Sequence, residues 1–559
     1  MDDKMGIEKR LGSTLRPRAI FRLAPLTLAL AGSWAMAADA VNLGPDTTLN
    51  YSLTLSYTAS MRTKSAASEY LNDLNNDDGT RNFDRWSLFT NRANALGELR
   101  LRHDNLGAIL RGSTFYDWSY RGRNDNDSIA TVNKLAPSDQ FVARTRKLSG
   151  NDSRLLDAYA YGSWSLGDER SLSVKVGRHV LAWGESLFWP NISQGQVPVD
   201  ATKFNIPGTE AKEAYLPVGQ VSGALTLNSW ATLTGFVQYK WEETRLNPVG
   251  DYFGSDYFGP GAQFFRLAPG QVSALPDHSF AVVNYAGDIK PKDSGQWGIG
   301  GRFIVSEATE IGLYHYRYHE RVGALMFDFT GTTQYSSLPR FGSNASPGST
   351  PYYKLGYFDD VKLTGASLST KFGDAVQLGA DLSYRNGSPV YLSPASGNAP
   401  ARGQLAQLNV NFLYTLGPSA IARTTTLLGE VAHQRIMGVD ALTISGGLPG
   451  SNGTFRQYVY DGQTRGSTLL GVGAVFDHGS VMPGWDLGSN VTWTQNVQGS
   501  SFGGMGRAEK RLTLGANLMY LRNFTVGLTY VAYLGSPNIA AGRLLADRDY
   551  LSLNVKHTF

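Results

Sequence analysis

Apolar and polar residues alternate with a period of two along most of the chain. In the first such segment Leu49, Tyr51 and Leu53 alternate with Asn50 and Ser52. This alternation is typical of a β-strand with one apolar and one polar face. We find about eighteen segments of this kind, at residues 47–62, 91–104, 107–120, 154–166, 171–184, 218–228, 230–242, 296–305, 309–320, 360–372, 375–386, 404–416, 424–434, 464–477, 485–495, 509–520, 524–533 and 549–559.

The connections between these segments alternate in length. Tight turns such as 104–106 and 306–308 alternate with long connections such as 121–153 and 243–295, which are rich in Gly, Asn, Asp and Pro. Short turns at one end and long loops at the other are typical of outer-membrane barrels. The sequence therefore predicts an all-β fold. We expect a transmembrane antiparallel β-barrel of about 18 strands, with 16 also possible, short periplasmic turns and long extracellular loops.

The final strand supports this prediction. Leu551, Leu553 and Val555 share one face, and the chain ends on the aromatic Phe559. This ending resembles the C-terminal signal by which the barrel-assembly machinery recognises outer-membrane proteins. The resemblance implies that machinery as a partner during biogenesis, with outer-membrane lipid as the surroundings of the finished barrel.

The N-terminus predicts export. Basic residues precede an apolar stretch at 23–31, and Ala35-Met36-Ala37 follows as an A-x-A cleavage site, so residues 1–37 are expected to be a signal peptide. Residues 38–559 then form a single outer-membrane barrel domain. No later apolar run is long enough to span a bilayer as a helix. Only about nine residues remain before the first predicted strand, too few for a plug domain.

Composition excludes several kinds of function. Removing the six Lys/Arg and three Asp/Glu of the signal peptide leaves a formal charge of about +1, so there is no electrostatic case for binding nucleic acid. The absence of Cys removes thiolate metal sites and Cys nucleophiles. Gly499-Ser500-Ser501-Phe502-Gly503 matches G-x-S-x-G, but it lies in a predicted loop with only His557 downstream. We expect no enzyme, no cofactor and no metal site.

Charged residues on the polar face of the predicted strands are candidates for the lumen. In segment 309–320 this assignment turns Tyr314, Tyr316 and Tyr318 toward lipid. Basic groups outnumber acidic ones among the candidates, which favours anionic or polar-headed solutes. Alternatively, these charges only solvate and brace the wall. The candidates are Arg100, Arg102, Arg111, Asp117, Lys240, His315, Arg317, His319, Asp381 and Arg385.

Arg178 does not follow the alternation, because it falls on the lipid side if Val174 and Val176 face outward. A bulge at Gly177 would turn Arg178 inward and place Trp183 outward. Alternatively, Arg178 lies close enough to the lipid headgroups to reach them.

Residues 185–217 are the best candidate for a constriction. This connection combines aromatic, proline-stiffened and charged residues, unlike a floppy surface loop. It either folds into the lumen or forms an external cap. Its candidate pore residues are Glu185, Trp189, Asp200 and Lys212.

The stretch 177–186, which reads G-R-x-V-x-x-W-G-E-S, together with 210–217, 76–83, 111–117 and 383–385, resembles the proteobacterial outer-membrane family catalogued as domain of unknown function thirteen-oh-two. The resemblance implies a barrel. Members of this family are often encoded near a periplasmic companion protein and near transporters of the resistance–nodulation–division superfamily, in settings concerned with hydrophobic compounds. Both are therefore possible partners.

These features together predict an outer-membrane channel for small molecules, with hydrophobic or amphipathic compounds as possible substrates and external loops as the gate. The alternative is a non-conducting barrel that docks a periplasmic or inner-membrane transport complex. An outer-membrane hydrolase is a third and less favoured hypothesis.

Overall fold

The computed structural model describes residues 41–267, 282–341, 351–392, 399–447, 451–456, 463–500 and 505–559. The predicted signal peptide and Ser501 lie outside these ranges. No helix within them has the length and hydropathy needed to cross a bilayer.

Eighteen antiparallel strands form one closed sheet in which each strand pairs with its neighbours in the chain and the last pairs with the first. The prediction of about 18 strands is therefore confirmed. The strands are β1 Thr47–Arg62, β2 Leu88–His103, β3 Leu106–Asp117, β4 Asn151–Ser165, β5 Ser171–His179, β6 Val218–Asn228, β7 Ala231–Gln238, β8 Gln296–Ser306, β9 Thr309–Tyr318, β10 Val361–Phe372, β11 Val376–Leu392, β12 Ala399–Leu416, β13 Thr424–Val439, β14 Gly466–Met482, β15 Trp485–Gln498, β16 Lys510–Tyr520, β17 Phe524–Leu534 and β18 Tyr550–Thr558.

The two faces of the strands differ as expected for a wall between lipid and water. On β11, Leu382 is 55% exposed on the outer face, whereas Asp381 and Ser383 on either side of it are buried. Exposed apolar side chains recur on the outer face of other strands, as at Leu233 on β7 and Leu553 on β18. Because lipid favours apolar side chains and only closed sheets satisfy every backbone group there, the barrel is a transmembrane one.

The first strand begins and the last strand ends on the same side of the barrel. This side carries the short turns and is here called the turn end. The short strand Val41–Gly44 pairs with the start of β1. The last residue, Phe559, exchanges backbone hydrogen bonds with Leu53 at 2.9 and 3.3 Å. The terminal aromatic residue therefore belongs to the ladder that closes the barrel.

The opposite end, here called the loop end, carries the long connections. They contain a four-stranded sheet of Phe264–Arg266, Val282–Ile289, Ala324–Asp328 and Tyr352–Gly356, and a three-stranded sheet of Gln334–Tyr335, Leu442–Ser445 and Gly453–Phe455. Short α-helices lie at Ser68–Leu71, Asp78–Arg81, Ala143–Thr145, Ala201–Phe204 and Ala211–Ala214. Two 3-10 helices lie at Trp118–Tyr120 and Pro339–Phe341, and a π-helix lies at Arg146–Gly150.

Aromatic residues pack these connections against the strands at the loop end. Phe83 meets Tyr252 edge to face, and Tyr252 stacks on Phe89 with ring centroids 3.9 Å apart. Phe89 in turn contacts Tyr550 of β18. The long connections around these rings therefore share a buried aromatic core with the loop-end parts of the strands.

The predicted segment 171–184 is shorter in the structure, because β5 ends at His179. Trp183 then lies buried among Ile192, Phe236 and Tyr314. Burying this large ring inside the barrel draws the chain away from the wall soon after His179.

Candidate functional site

The connection from β5 to β6, residues 180–217, lies inside the barrel, and we call it the inner loop. Its partners are side chains on the face of the strands opposite the exposed apolar residues. Asp381 of β11 accepts hydrogen bonds from the backbone nitrogens of Glu185 at 2.9 Å and Ser186 at 3.1 Å, and from the Ser186 hydroxyl at 2.6 Å. This carboxylate therefore fixes the start of the inner loop to the lumen wall.

A second carboxylate holds the next three residues of the inner loop. Glu430 of β13 accepts hydrogen bonds from the backbone nitrogens of Leu187, Phe188 and Trp189, the last two at 2.9 and 3.3 Å. A Cβ on Gly471 of β14 would lie 2.9 Å from the Phe188 ring, so only glycine leaves room for this side chain. The three backbone N–H groups that donate to Glu430 compensate the burial of its carboxylate.

Amide side chains on β12 continue this contact. Asn409 donates to the Trp189 carbonyl at 2.8 Å, and Gln407 donates to the Pro190 carbonyl at 3.1 Å. Asn411, two residues further along the same face, donates to the Glu185 carbonyl at 2.7 Å. Side-chain amides therefore satisfy carbonyl groups of a segment that has no sheet partner of its own.

Tyrosines of β9 hold the middle of the inner loop. The hydroxyl of Tyr316 donates to the Ile192 carbonyl and accepts from the Gly195 nitrogen at 3.3 Å. Trp183 stacks on Tyr314 with ring centroids 5.2 Å apart. The expectation that Tyr314, Tyr316 and Tyr318 face lipid is therefore wrong, because the hydroxyl groups have hydrogen-bond partners inside the barrel.

Because the tyrosines of β9 face the lumen, the two basic candidates that alternate with them lie on the outer face. His315 contacts Thr364 of β10 at 2.9 Å, and Arg317 forms an ion pair with Asp360. Both alternate with the buried tyrosines along β9 and share the outward face of the exposed Leu313. The expectation that His315 and Arg317 point into the lumen is therefore wrong.

The end of the inner loop reaches the opposite side of the lumen. Lys212 lies 3.0 Å from Glu210 and 4.0 Å from Glu98 of β2, and Glu210 also lies 3.5 Å from Lys556 of β18. A Cβ on Gly208 would lie 2.2 Å from Asn554 of β18. Because the start of the loop contacts β11 to β14 and its end contacts β18 and β2, the inner loop crosses the lumen.

A buried ion pair stabilises this second half of the loop. Lys203 lies 3.2 Å from Glu213, and their side chains are only 5% and 4% exposed. Burial lowers the pKa of Lys203, and the Glu213 carboxylate opposes that shift. The Lys203 ammonium also lies over the Phe115 ring of β3. At the start of the same loop, burial and then the charge of Asp381 raise the pKa of Glu185.

Asp200 joins the inner loop to two basic residues. It caps the helix Ala201–Phe204 by accepting from the Thr202 nitrogen at 3.1 Å. Its other oxygen lies 3.1 Å from Arg154 of β4 and 3.6 Å from Arg245. The capping residue is therefore also the centre of an ion-pair network.

Several of the other strand candidates form ion pairs or side-chain hydrogen bonds along the lumen wall. Arg111 pairs with Glu98, with Nε at 2.8 Å, and with Asp157, and Asp117 accepts from Arg92 at 3.1 Å. Arg385 donates to the side chains of Gln194 and Gln407.

Arg100 and Arg102 are more exposed than these candidates, although Arg100 also pairs with Glu98 at 3.3 Å. They lie on the same face of β2 as Glu98, closer to the turn end, and are exposed. The described part of the lumen is therefore filled by the inner loop toward the loop end and is more open toward the turn end.

Three further candidates lie away from the lumen. Lys240 follows the end of β7 and pairs with Asp293 at 2.8 Å. His319 follows the end of β9, where it contacts the Ser294 carbonyl at 3.1 Å. Arg178 forms an ion pair with Glu242 at 2.9 Å. These contacts connect long loops to the wall and to each other.

The bulge expected at Gly177 lies instead on the neighbouring strand. β5 keeps an uninterrupted register with both neighbours through Gly177. On β4 two residues, Leu156 and Asp157, stand opposite the single residue Arg111. Arg178 consequently stays on the outer face, and Trp183 lies inside the barrel rather than outside.

The comparisons with known proteins identify the family. The model described as "Protein of unknown function (DUF1302)" matches residues 18–559. The chain belongs to this family. The comparison with curated proteins finds no match.

Three solved structures show a distant resemblance to the DUF1302 chain. OccAB1 of Acinetobacter baumannii is 10% identical with a TM-score of 0.43, over 93% of this chain and 98% of that one. OccK9 (OpdG) of Pseudomonas aeruginosa is 11% identical with a TM-score of 0.42, over 91% and 97%. OccK2 (OpdF) of Pseudomonas aeruginosa, solved in complex with glucuronate, is 11% identical with a TM-score of 0.39, over 91% and 98%. The fold assignment of the DUF1302 chain therefore stands on its own strand ladders.

Asp381 was among the lumen candidates predicted from the sequence, but three other anchors of the inner loop were missed. Glu430, Asn409 and Asn411 lie on the polar face of clearly alternating segments, so the period of two places them in the lumen. Nothing in that alternation distinguishes a residue that anchors a loop from one that only contacts water. Their partners lie more than 200 positions away in the chain.

Proposed function

We propose that this protein is an outer-membrane channel for small molecules and that its inner loop forms the constriction. The observation that carries the proposal is the course of residues 185–217, which are anchored to Asp381 and Glu430 on one side of the lumen and contact Glu98 and Lys556 on the other. A barrel of eighteen strands leaves an interior wide enough for a passage. On this proposal, the loop fixed across the interior narrows the passage.

Hydrophobic or amphipathic anions are the solutes that this lumen suits best. The inner loop carries Leu187, Phe188 and Trp189 in sequence, and guanidinium groups of Arg100 and Arg102 are exposed toward the turn end. The apolar surface of the inner loop and these basic groups on the other side of the lumen favour a molecule with an apolar body and a negatively charged head. The loops that cap the loop end then act as the gate.

We infer transport rather than catalysis, because many of the charged groups in the lumen are already engaged. Asp381 and Glu430 accept backbone hydrogen bonds, and Arg111 is held between two carboxylates. A general acid or base must be free to exchange a proton with substrate. Groups that hold a loop in place are poorly suited to that task.

The proposal is tested by reconstituting the purified protein in planar bilayers and in liposomes. We expect stepwise single-channel currents, and liposome swelling in small amphipathic solutes. A correctly folded barrel that gives no current and no swelling would overturn the proposal and favour the docking alternative.

A further inference from the structure

The hydrogen-bonded ladder between β4 and β5 is interrupted before β4 ends, at the loop end of the barrel. β4 pairs with β3 up to the Asn151–Tyr116 pair, but its ladder with β5 stops at the Ala158–Arg178 pair. Within the described ranges, residues 151–157 of β4 have no strand partner on the β5 side. Seven strand residues span roughly 23 Å. The interruption is therefore long compared with a small molecule.

The β4 bulge lies at the edge of this interruption. Leu155 points outward and is 52% exposed, whereas Leu156 and Asp157 are buried. Arg178 donates to the Leu156 carbonyl at 3.4 Å, which provides a polar partner for a group at an unpaired strand edge. Such an edge is costly in lipid unless protein or water covers it. The bulge and Arg178 therefore both lie at this unpaired edge, and Arg178 satisfies one of its carbonyl groups.

A cavity of about 200 Å³ lies at the unpaired edge of β4 and is lined by Arg154, Leu155, Leu156, Arg178 and Leu216. Leu155 belongs to the outer face of β4, whereas Arg154 pairs with Asp200 of the inner loop. Because the cavity touches outward-facing and inward-facing side chains, it lies within the thickness of the wall. Leu216, from the end of the inner loop, contributes to the same cavity.

We propose that this cavity is the opening of a lateral portal, through which an amphipathic anion, with one apolar chain and one carboxylate or similar head, passes between the lumen and the lipid. This inference rests on the proposed function and names the substrate class and its route. Three leucines line the cavity for the apolar chain, and its two charged lining residues are both arginines. The charge of the lining therefore complements an anionic head.

The ion pair at the outer rim can exchange its partner. Arg178 and Glu242 are 31% and 33% exposed, so solvent screens their attraction. An incoming carboxylate can replace Glu242 and form the planar, paired hydrogen bonds that a guanidinium prefers. Further inward, Arg154 lies 3.1 Å from Asp200 and 3.5 Å from Asp152, so it receives the head by exchanging one of these carboxylate partners.

The first test blocks the opening and measures two activities of the same protein in liposomes. The chain has no cysteine, so Leu155→Cys can be labelled specifically with a bulky maleimide, and Leu382→Cys on the outer face of β11 is the matched control. We expect the label at residue 155 to slow transfer of a fluorescent long-chain carboxylate about tenfold, while ion conductance stays unchanged. Equal transfer by the two labelled proteins would overturn the portal. Loss of conductance in the unlabelled protein would instead overturn the channel itself.

The second test removes the charge at the rim. Arg178→Gln should slow transfer of the long-chain carboxylate about tenfold but leave the matching long-chain alcohol unaffected, and Arg178→Lys should retain part of the activity. Native mass spectrometry distinguishes a headgroup of resident lipid from a travelling solute. If Arg178→Gln loses a bound phospholipid while carboxylate transfer is unchanged, the cavity is a lipid site and the portal is wrong.

Discussion

The carboxylate of Asp381 holds Ser186 by two hydrogen bonds, one from its backbone nitrogen at 3.1 Å and one from its hydroxyl at 2.6 Å. The two residues are 195 positions apart in the chain. Asp381 belongs to the rigid wall and Ser186 to the inner loop. This relationship explains how a segment without a sheet partner keeps a fixed position in the lumen.

Replacing Asp381 by Asn should release the start of the inner loop. A neutral amide oxygen accepts hydrogen bonds more weakly than a carboxylate, and the lost stabilisation is about 2 kcal/mol. We expect faster hydrogen exchange at residues 185–195 with no change in the strands. Asp374→Asn, in the β10–β11 turn, is the matched control. Unchanged exchange in Asp381→Asn would mean that the carboxylate does not anchor the loop.

Replacing Lys203 by Met should destabilise the second half of the inner loop by about 3–5 kcal/mol, because Glu213 would remain buried without its cation. Hydrogen exchange at residues 197–216 measures this effect. The double variant Lys203→Met/Glu213→Gln should recover part of the loss, since it leaves no unpaired charge. A single variant as protected as the wild type would contradict the pairing.

Gly208 is expected to tolerate no side chain. Its φ of +84° favours glycine, and a Cβ would lie 2.2 Å from Asn554 of β18. Gly208→Ala should cost about 1–3 kcal/mol and detach this part of the loop from the wall. Gly417→Ala, where a Cβ meets nothing within 4 Å, is the control. Equal thermal stability of the two variants would contradict the close approach.

The acidic residues at the loop end should make that region sensitive to pH. Burial raises the pKa of Asp78 to about 6, with Lys134 opposing and Asp77 adding to the shift. Burial and the charge of Asp78 also raise the pKa of Asp256, which accepts from the Asp78 nitrogen at 3.0 Å. The folded chain thus holds a proton that the unfolded chain, with a pKa near 3.8, releases. Stability in this region is therefore lost as the pH rises through about 6.

Hydrogen exchange at residues 78–82, corrected for the intrinsic rate, should be slower at pH 5 than at pH 7.5. The variant Asp78→Asn should lose most of this difference, whereas Asp168→Asn in the β4–β5 turn should keep it. Exchange that slows as the pH rises in the wild-type protein would show that the sign of the effect is wrong.

The strands could be predicted because lipid on one side and water on the other impose a strict alternation, and because turn lengths mark the two ends. The alternation failed at Tyr316, since a tyrosine suits lipid by its ring and the lumen by its hydroxyl. At Arg178 the alternation was right, since this residue lies on the outer face, whereas the bulge expected at Gly177 was wrong because the bulge lies on the neighbouring strand. The anchoring by Asp381 and Glu430 depends on contacts between distant segments, which no local pattern encodes.

The position of Trp189 in the lumen offers the most direct test of the central claim that the inner loop constricts the pore. In a chain without native cysteine, Trp189→Cys can be modified with a charged thiol reagent during a single-channel recording. We predict that modification reduces the current stepwise, whereas modification of Leu382→Cys on the lipid face leaves it unchanged. A current that stays constant after complete modification of residue 189, verified by mass, would contradict the account.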